Sequence, residues 1–502
     1  MLDGIRVLQM GDEDWSTLYQ MPDCIDFFYE KIEEEDVKVP YDLIFVDRQL
    51  SEDEVAVLRK CTKTYTLYIT NETVCNSTMQ EYYDCRRGKR IGRNEIAQFL
   101  TEEARNYFAA SYGEKFSMKN LGIAQGFHGD ISWNGNYSVI LTGDFGEAWR
   151  QIVFWRNNIP VFRGQAIDLW LEYEKTGTVE IALSVTQFVQ GSISEVQQEW
   201  QFSEAKLQDI VRIDNDKPDG MIFVSILARG NGTLKVVALH DRYSRRGHGY
   251  FIPGGERYVT TKKEEIFCYF DPGDYKPPLN VFFSGYKTRQ GFEGYHFMRR
   301  LGCPFLLIAE PRLEGGSFYM GSAEYESLLK KCIAKYMREL NFSREQVIMA
   351  GISMGTTGAL YYGCDIRPHA ILLGKPLTNI GTIAENERLS RPGGFATSLD
   401  ILQYLSRTED DSAVDGLNQR FWGKFDRTDW SDTKFVVSYM IEDDYDGTAY
   451  EDMIAHLQSE GTQIYGKGIH GRHNDATGAI VSWFSGQYDQ LLYEDFGRKV
   501  EK

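Results

Sequence analysis

No stretch of this sequence approaches the roughly 18 to 20 consecutive apolar residues that a membrane-crossing helix needs. Its opening residues, "MLDGIRVLQMGDEDW", carry charges where a secretory leader would be apolar, so the chain is expected to stay in the cytoplasm. Eight cysteines (Cys24, Cys61, Cys75, Cys85, Cys268, Cys303, Cys332, Cys364) never fall into CxxC or CxxH spacing. That pattern speaks against a zinc site or a disulfide scaffold and for buried thiols. Neither GxxxxGK followed by Ser or Thr nor HExxH occurs, which removes the usual phosphate cradle and metalloprotease centre. Neither a bound cofactor nor a metal is expected, and the chain shows no internal repeat.

Positive charge is also scarce. Lysine and arginine number 55 against 73 acidic residues, a net charge of -18, which repels a phosphate backbone at long range and argues against a nucleic-acid partner. One basic run, "CRRGKRIGR", holds Arg86, Arg87, Lys89, Arg90 and Arg93. It either docks on anionic lipid or an acidic partner, at roughly 1 kcal/mol per charge near a membrane surface, or forms a solvated loop beside a helix start. The first alternative implies peripheral association with the inner face of the membrane.

What is present is the composition of a multi-domain globular protein. The 502 residues exceed what one core holds, and 42% of them are hydrophobic. Residues 1–115 alternate short apolar runs ("IRVLQMG", "DLIFVDR", "TYTLYIT") with the capped helical stretch "SEDEVAVLRKC", and close on a predicted helix, "RNEIAQFLTEEARNYFAASY". This predicts a small α/β domain. Over 116–265 the helical period disappears. Ile167, Leu169, Leu171 and Tyr173 alternate with polar or outward positions as in a half-buried strand, and "MIFVSILARGNGTLKVVAL" predicts a hairpin turning at Asn231-Gly232. A β-sandwich or jelly roll is expected there. Five tryptophans (Trp133, Trp149, Trp155, Trp170, Trp200) serve either its core or a sugar-stacking face.

Over 266–502 the runs "LNVFFSG", "FLLIAE", "QVIMAG", "AILLG", "KFVVSYMI" and "TQIYGKGI" read as parallel strands buried on both faces. A polar helical insertion at about 375–432 stands where a lid would. Within this α/β domain, "GISMGTTG" places Ser353 on a strand, sharp turn and helix, the context of a nucleophile elbow and of an α/β-hydrolase fold. Met354 would offer its backbone N–H to an oxyanion, with the second donor at Gly285 or Tyr286 in "VFFSGYKTRQGFEGY". A serine hydroxyl needs a base, and the base an acid. In chain order after Ser353, "MIEDDYDG" supplies Glu442, Asp443, Asp444 and Asp446, and "GIHGRHNDATG" supplies His470 and His473. Asp443 and His473 are the leading candidates. Glu442 is the alternative acid, with Asp444 or Asp446 behind it, and His470 a supporting or substrate-contacting residue.

The stretches "LQMGDEDWS", "VIMAGISMGTTGALYYGCDIRPHAILLGKPLTNIGT" and "GIHGRHNDATGAIVSWF" resemble, along the full chain, the accessory Sec family that serves serine-rich-repeat adhesins in Gram-positive bacteria, in particular its second accessory secretory protein. The resemblance implies a cytoplasmic protein acting with two sibling accessory secretory proteins and a dedicated translocase ATPase. It also implies O-acetylation of N-acetylglucosamine on the adhesin through a Ser, acid and His triad, which would fall on Ser353, the acid at or beside Asp443, and His473. A family glutamate where this chain has Asp443 keeps Glu442 in contention. The β-rich segment would then contact glycan or adhesin, and an acyl donor such as acetyl-CoA would be a substrate. Two other readings fit the same residues: a non-catalytic scaffold coupling adhesin to the translocase, and a carboxylesterase acting on a small ester.

Overall fold

A computed structural model describes residues 4–30, 40–313, 315–389, 398–408, 410–457 and 461–499. The first unit is a five-stranded, all-parallel sheet in the order Ile25–Tyr29, Ile5–Met10, Leu43–Val46, Leu67–Thr70, Lys89–Ile91. Its helix Glu52–Cys61 starts on a capping box, Ser51 accepting from the Glu54 amide while the Glu54 carboxylate accepts from the Ser51 amide. The closing helix expected after Arg93 is a chain of short turns that passes from 3₁₀ through α to π geometry and ends at Tyr107. Within it the Thr101 hydroxyl hydrogen-bonds the carbonyls of Ala97 and Gln98, a local competitor of the regular ladder.

Most of the basic run of the first unit makes contacts within the chain, although Lys89, Arg90 and Arg93 stay exposed. Arg86 donates to the Arg59 carbonyl, Arg87 pairs with Glu339, Arg90 donates to the carbonyls of Thr70 and Thr73, and Arg93 pairs with Asp47.

The second unit is ten antiparallel strands, and here one expectation fails. No hairpin forms at Asn231-Gly232: Gly220–Tyr243 is one unbroken strand of 24 residues. Its first half pairs with Glu180–Val189 and its second with Ala166–Gly177, while Ser138–Trp155 follows its other edge. Glycines cluster where these long strands bend. Gly177, Gly230 and Gly232 all have positive φ, and a Cβ on Gly230 would lie 2.2 Å from the Thr178 carbonyl oxygen. The positive-φ tolerance that made Asn-Gly read as a turn is used instead to fold a continuous sheet over on itself. Its interior is the cluster around Leu141, Trp155, Leu169, Ile181, Val224 and Leu234. Of the five tryptophans, Trp155 and Trp170 are buried and Trp200 packs partly against the core, whereas Trp133 and Trp149 face outward.

The third unit holds the eight-stranded sheet, numbered here β1 (Glu256–Val259), β2 (Glu265–Asp271), β3 (Leu279–Phe283), β4 (Phe305–Ala309), β5 (Val347–Ile352), β6 (Ala370–Gly374), β7 (Lys434–Met440) and β8 (Gln463–Ile469). The order across the sheet is 1-2-4-3-5-6-7-8, with β2 antiparallel to both its neighbours and the other seven strands running in one direction. Strands β2 to β6 are buried except at Ile352, the half-buried last residue of β5, as the uninterrupted apolar runs require when helices cover both faces. This is an α/β fold, with the strand order of an α/β-hydrolase, and it begins at Glu256, ahead of position 266. Helix α1 (Met354–Ile366) follows β5. Between β6 and β7 the insertion folds into α2 (Ile380–Leu389), α3 (Ser398–Ser406) and α4 (Asp411–Phe425), and α5 (Thr477–Phe496) follows β8. Residues 390–397 of the insertion lie outside the described residues.

Buried polar contacts lock the three units together. Arg245 reaches from the second unit to the carbonyls of Asn106, Phe108 and Ala110, and burial pushes its pKa down to about 10. Arg242, 2% exposed, forms a two-pronged pair with Glu265 on β2, which Arg257 also contacts. Burial pushes the Glu265 carboxyl up, but Arg242 and Arg257 outweigh it and hold the carboxyl at about 2. A carboxyl held below its unfolded value stabilises the fold fully above pH about 4.5 and loses that contribution as pH falls toward 2. Glu265→Gln leaves two arginines short of a buried counter-charge, so at pH 7 it should cost about 3 to 5 kcal/mol. The expected readout is a lower Tm than the parent's at pH 7, with the gap closing on acidification.

Candidate active site

Ser353 sits between β5 and α1 with φ 55° and ψ −126°, a backbone setting that side chains rarely adopt. The turn is tight enough to dictate its neighbours. A Cβ on Gly351 would lie 2.3 Å from the Gly355 carbonyl carbon, and one on Gly355 would lie 2.1 Å from the Phe283 carbonyl oxygen on β3. Both glycines are therefore needed, and the elbow projects Oγ beyond the C-terminal edge of the sheet. The Ser353 amide donates to the Gly374 carbonyl at 2.7 Å, tying the elbow to the end of β6. Met354 opens α1, where a first-turn amide has no acceptor in its own helix.

The loops after β7 and β8 meet this serine. Ser353 Oγ lies 2.8 Å from His473 Nε2, and His473 Nδ1 lies 2.8 Å from Asp443 Oδ2 and 3.2 Å from Oδ1. The network fixes the tautomer: Nδ1–H donates to the carboxylate, leaving Nε2 to accept from the hydroxyl. The His473 and Asp443 side chains are 2% and 5% exposed, and the Tyr445 ring stacks on the imidazole with centroids 4.2 Å apart. A shielded carboxylate, imidazole and hydroxyl in this order can remove the serine proton as Oγ attacks a carbonyl and return it to a leaving group.

Each of the four acids in the β7 loop has a separate partner. Glu442, half exposed, accepts from His470 Nδ1 at 2.9 Å and from the Gly471 amide at 2.6 Å, so it shapes the outer part of the histidine loop. Asp443 turns inward to the His473 ring, steadied by the Tyr445 amide donating to Oδ1 at 2.8 Å. Asp444 accepts from the His473 backbone amide at 3.0 Å. Asp446 is buried and accepts from Thr378 and Asn379, fastening the start of the insertion to this loop. His470 is 83% exposed and is no part of the cavity wall.

The relay opens into a cavity of about 470 Å³. Phe282, Phe297, Phe318, Ile352, Val481 and Phe484 make it mainly apolar, and Leu377 and Ile383 of the insertion form part of the wall. Gly285 and Tyr286 both line it, yet the Gly285 amide donates to Glu293 Oε2 at 2.7 Å, so this expected oxyanion donor carries a carboxylate in the present state.

Two lining residues went unnoticed in the sequence, Glu293 and Lys375. Lys375 directly follows β6 with φ 56° and donates from Nζ to Thr477 Oγ1 at 2.9 Å. Burial pushes its pKa down, opposed by Asp443 and Asp475. The one signal for it was its place at the end of the apolar run "AILLG", an edge where parallel sheets hold their ligands. The contacts predict unequal acids. Asp443→Asn should lower kcat/KM for p-nitrophenyl acetate about 10⁴-fold by removing the acceptor of Nδ1–H, whereas Glu442→Gln should change it less than tenfold.

Comparison with known proteins places the chain in a family. Residues 5–498 match the family model described as Accessory Sec system GspB-transporter. The chain is 37% identical over 510 residues to an accessory Sec system protein of Streptococcus gordonii, covering 99% of this chain and 100% of that one. It is 36% identical over 512 residues to one of Staphylococcus aureus, covering 98% and 97%. Among solved structures, a chain of the Glycosylation Associate Protein complex from Streptococcus agalactiae superposes with a TM-score of 0.86 at 34% identity, covering 99% of this chain and 100% of that one. The chain belongs to the Accessory Sec system GspB-transporter family.

Proposed function

We propose that the chain is a serine-dependent O-acetyltransferase. It places acetyl groups on N-acetylglucosamine of a serine-rich-repeat adhesin in the cytoplasm and supports that adhesin's export. The observation that carries the catalytic half is the unbroken relay from Asp443 through His473 to Ser353 Oγ, with 2.8 Å contacts on both sides of the imidazole. Family membership supports the export half.

In the first half-reaction Ser353 Oγ attacks the acetyl carbonyl of a donor such as acetyl-CoA, and His473 Nε2 takes the hydroxyl proton. The oxyanion forms against the Met354 amide and the Gly285-Tyr286 loop, helped by the positive end of α1. Collapse expels the donor's leaving group, which takes the proton back from His473, and Ser353 is left acetylated. In the second half-reaction a sugar hydroxyl attacks the acetyl carbon and gives its proton to Nε2. Ser353 Oγ leaves and recovers that proton. Transfer outcompetes hydrolysis only where water is kept from the acyl-enzyme. The apolar cavity, partly walled by the insertion, supports transfer over a simple esterase.

A scaffolding role beside catalysis is favoured by one observation: the similar Streptococcus agalactiae chain was solved as part of a complex. By that analogy the chain would assemble with two sibling accessory secretory proteins and deliver adhesin to the translocase ATPase. Ser353→Ala separates the roles. In cells carrying it, mass spectrometry of the adhesin's glycans should find the acetyl groups gone while adhesin still reaches the surface. Acetylation at the parental level would refute the catalytic assignment, and loss of export would tie the two roles to one site.

A further inference from the structure

The loop after β3 holds a carboxylate that the serine relay does not use. Glu293 lines the same cavity as Ser353 and His473. Its Oε2 accepts the Gly285 amide at 2.7 Å, and its own amide donates to Ser284 Oγ at 3.1 Å, closing residues 284–293 into a tight loop. The placement is rigid on both sides. Gly294 has φ 79°, and a Cβ there would lie 2.9 Å from the Phe282 ring. A Cβ on Gly285 would lie 3.1 Å from the carbonyl oxygen of Ile352, the residue before the nucleophile, and 3.2 Å from Glu293 Oε2. The carboxylate therefore borders the elbow itself. Its second oxygen, Oε1, receives no hydrogen bond from any described residue.

Bracing the loop does not account for this side chain. One neutral acceptor would hold the Gly285 amide, whereas a negative charge beside the place where the oxyanion develops opposes the tetrahedral intermediate of both half-reactions. A charge with that cost that is still built into the wall needs a role outside the oxyanion, and a group for it to bind enters with the acceptor. The second half-reaction brings in a polyhydroxylic acceptor, rich in donors, and a carboxylate oxygen is an acceptor only. Hydrogen bonds from hydroxyls to an ionised carboxylate are also stronger than neutral ones.

Resting on the acyl-transfer reading above, we propose that Glu293 is the acceptor-binding residue of this site. Its free carboxylate oxygen takes a hydrogen bond from a sugar hydroxyl adjacent to the one that attacks. The attacking hydroxyl gives its proton to His473 Nε2, so Glu293 orients the sugar and moves no proton. The substrate class follows: a pyranoside with neighbouring free hydroxyls, in place of a simple alcohol or water.

The test uses the full chain, p-nitrophenyl acetate as acyl donor and the methyl glycoside of N-acetylglucosamine as acceptor. Burst release of p-nitrophenol reports acylation of Ser353, and the ratio of acetylated glycoside to free acetate reports what the acyl-enzyme does next. The amide oxygen of Glu293→Gln can still hold the Gly285 amide, so the loop keeps its brace. For this variant the burst should stay within twofold of the parent or rise. The transfer-to-hydrolysis ratio should fall about tenfold, and the acceptor KM should rise. Ethanol as acceptor should show no such dependence on Glu293. A transfer ratio and acceptor KM within twofold of the parent would overturn the proposal. So would a burst that falls in step with transfer, because Glu293 would then only support the oxyanion loop. Absence of a burst in the unmodified protein would instead remove the acyl-transfer reading, and this inference with it.

Discussion

The backbone at Ser353 is the constraint from which the rest of the site follows. A non-glycine residue held in a sparsely populated φ/ψ region costs on the order of 1 to 3 kcal/mol and persists only where its surroundings over-determine it. Here they do. Strand β5 is buried between β3 and β6, Gly351 and Gly355 let α1 approach within backbone contact, and the Ser353 amide is held by the Gly374 carbonyl. The strain also passes to the next strand end, since Lys375, beside Gly374, is itself left-handed and donates its amide to Ser438 on β7. The ends of β5, β6 and β7 are thus coupled through backbone hydrogen bonds. The nucleophile and the loop that carries its acid are built on one rigid edge.

That edge explains how four neighbouring acids take four different roles. A loop leaving a parallel strand first points its side chains outward and then turns over the sheet, so adjacent positions meet different surroundings. Glu442 is still on the outside and meets His470, while Asp443 has turned in and meets His473. Asp444 then fixes the backbone of His473, and Asp446 fixes the insertion. The imidazole is therefore held by a carboxylate on its ring, a carboxylate on its amide and an aromatic ring on its face. Such multiple restraint is what keeps a base in productive geometry without reorganisation during the reaction.

Much of this was legible in the residues, for a physical reason. Buried parallel strands must be apolar on both faces, so the runs from "LNVFFSG" to "KFVVSYMI" announced themselves, whereas "TQIYGKGI", read as buried, forms the largely exposed edge strand β8; the elbow's glycines follow from local sterics. The acids could be located but not fully distinguished, because one residue along a turning loop changes what a side chain meets. Asn231-Gly232 misled because positive φ is a property shared by a hairpin turn and by a bend in a continuous strand, and only the partner strands decide between them. Glu293 and Lys375 left almost no trace. They sit far from Ser353 along the chain, and their significance arises when β3 and β6 close on either side of β5.

The way the units are joined limits how any large substrate reaches the site. Separating the β-rich unit from the α/β-hydrolase unit would expose Arg242 and Glu265, both nearly inaccessible, and break their two-pronged pair. Breaking such a pair costs more than a loop rearrangement, so the two units behave as one body. Contacts between the loop at Asn136 and Tyr137 and the insertion's Asp400 and Tyr404 reinforce that body from the lid side. Any large molecule held by the β-rich unit would therefore approach Ser353 across a fixed distance and direction, so access to the site would rest on that geometry together with the groups lining the cavity.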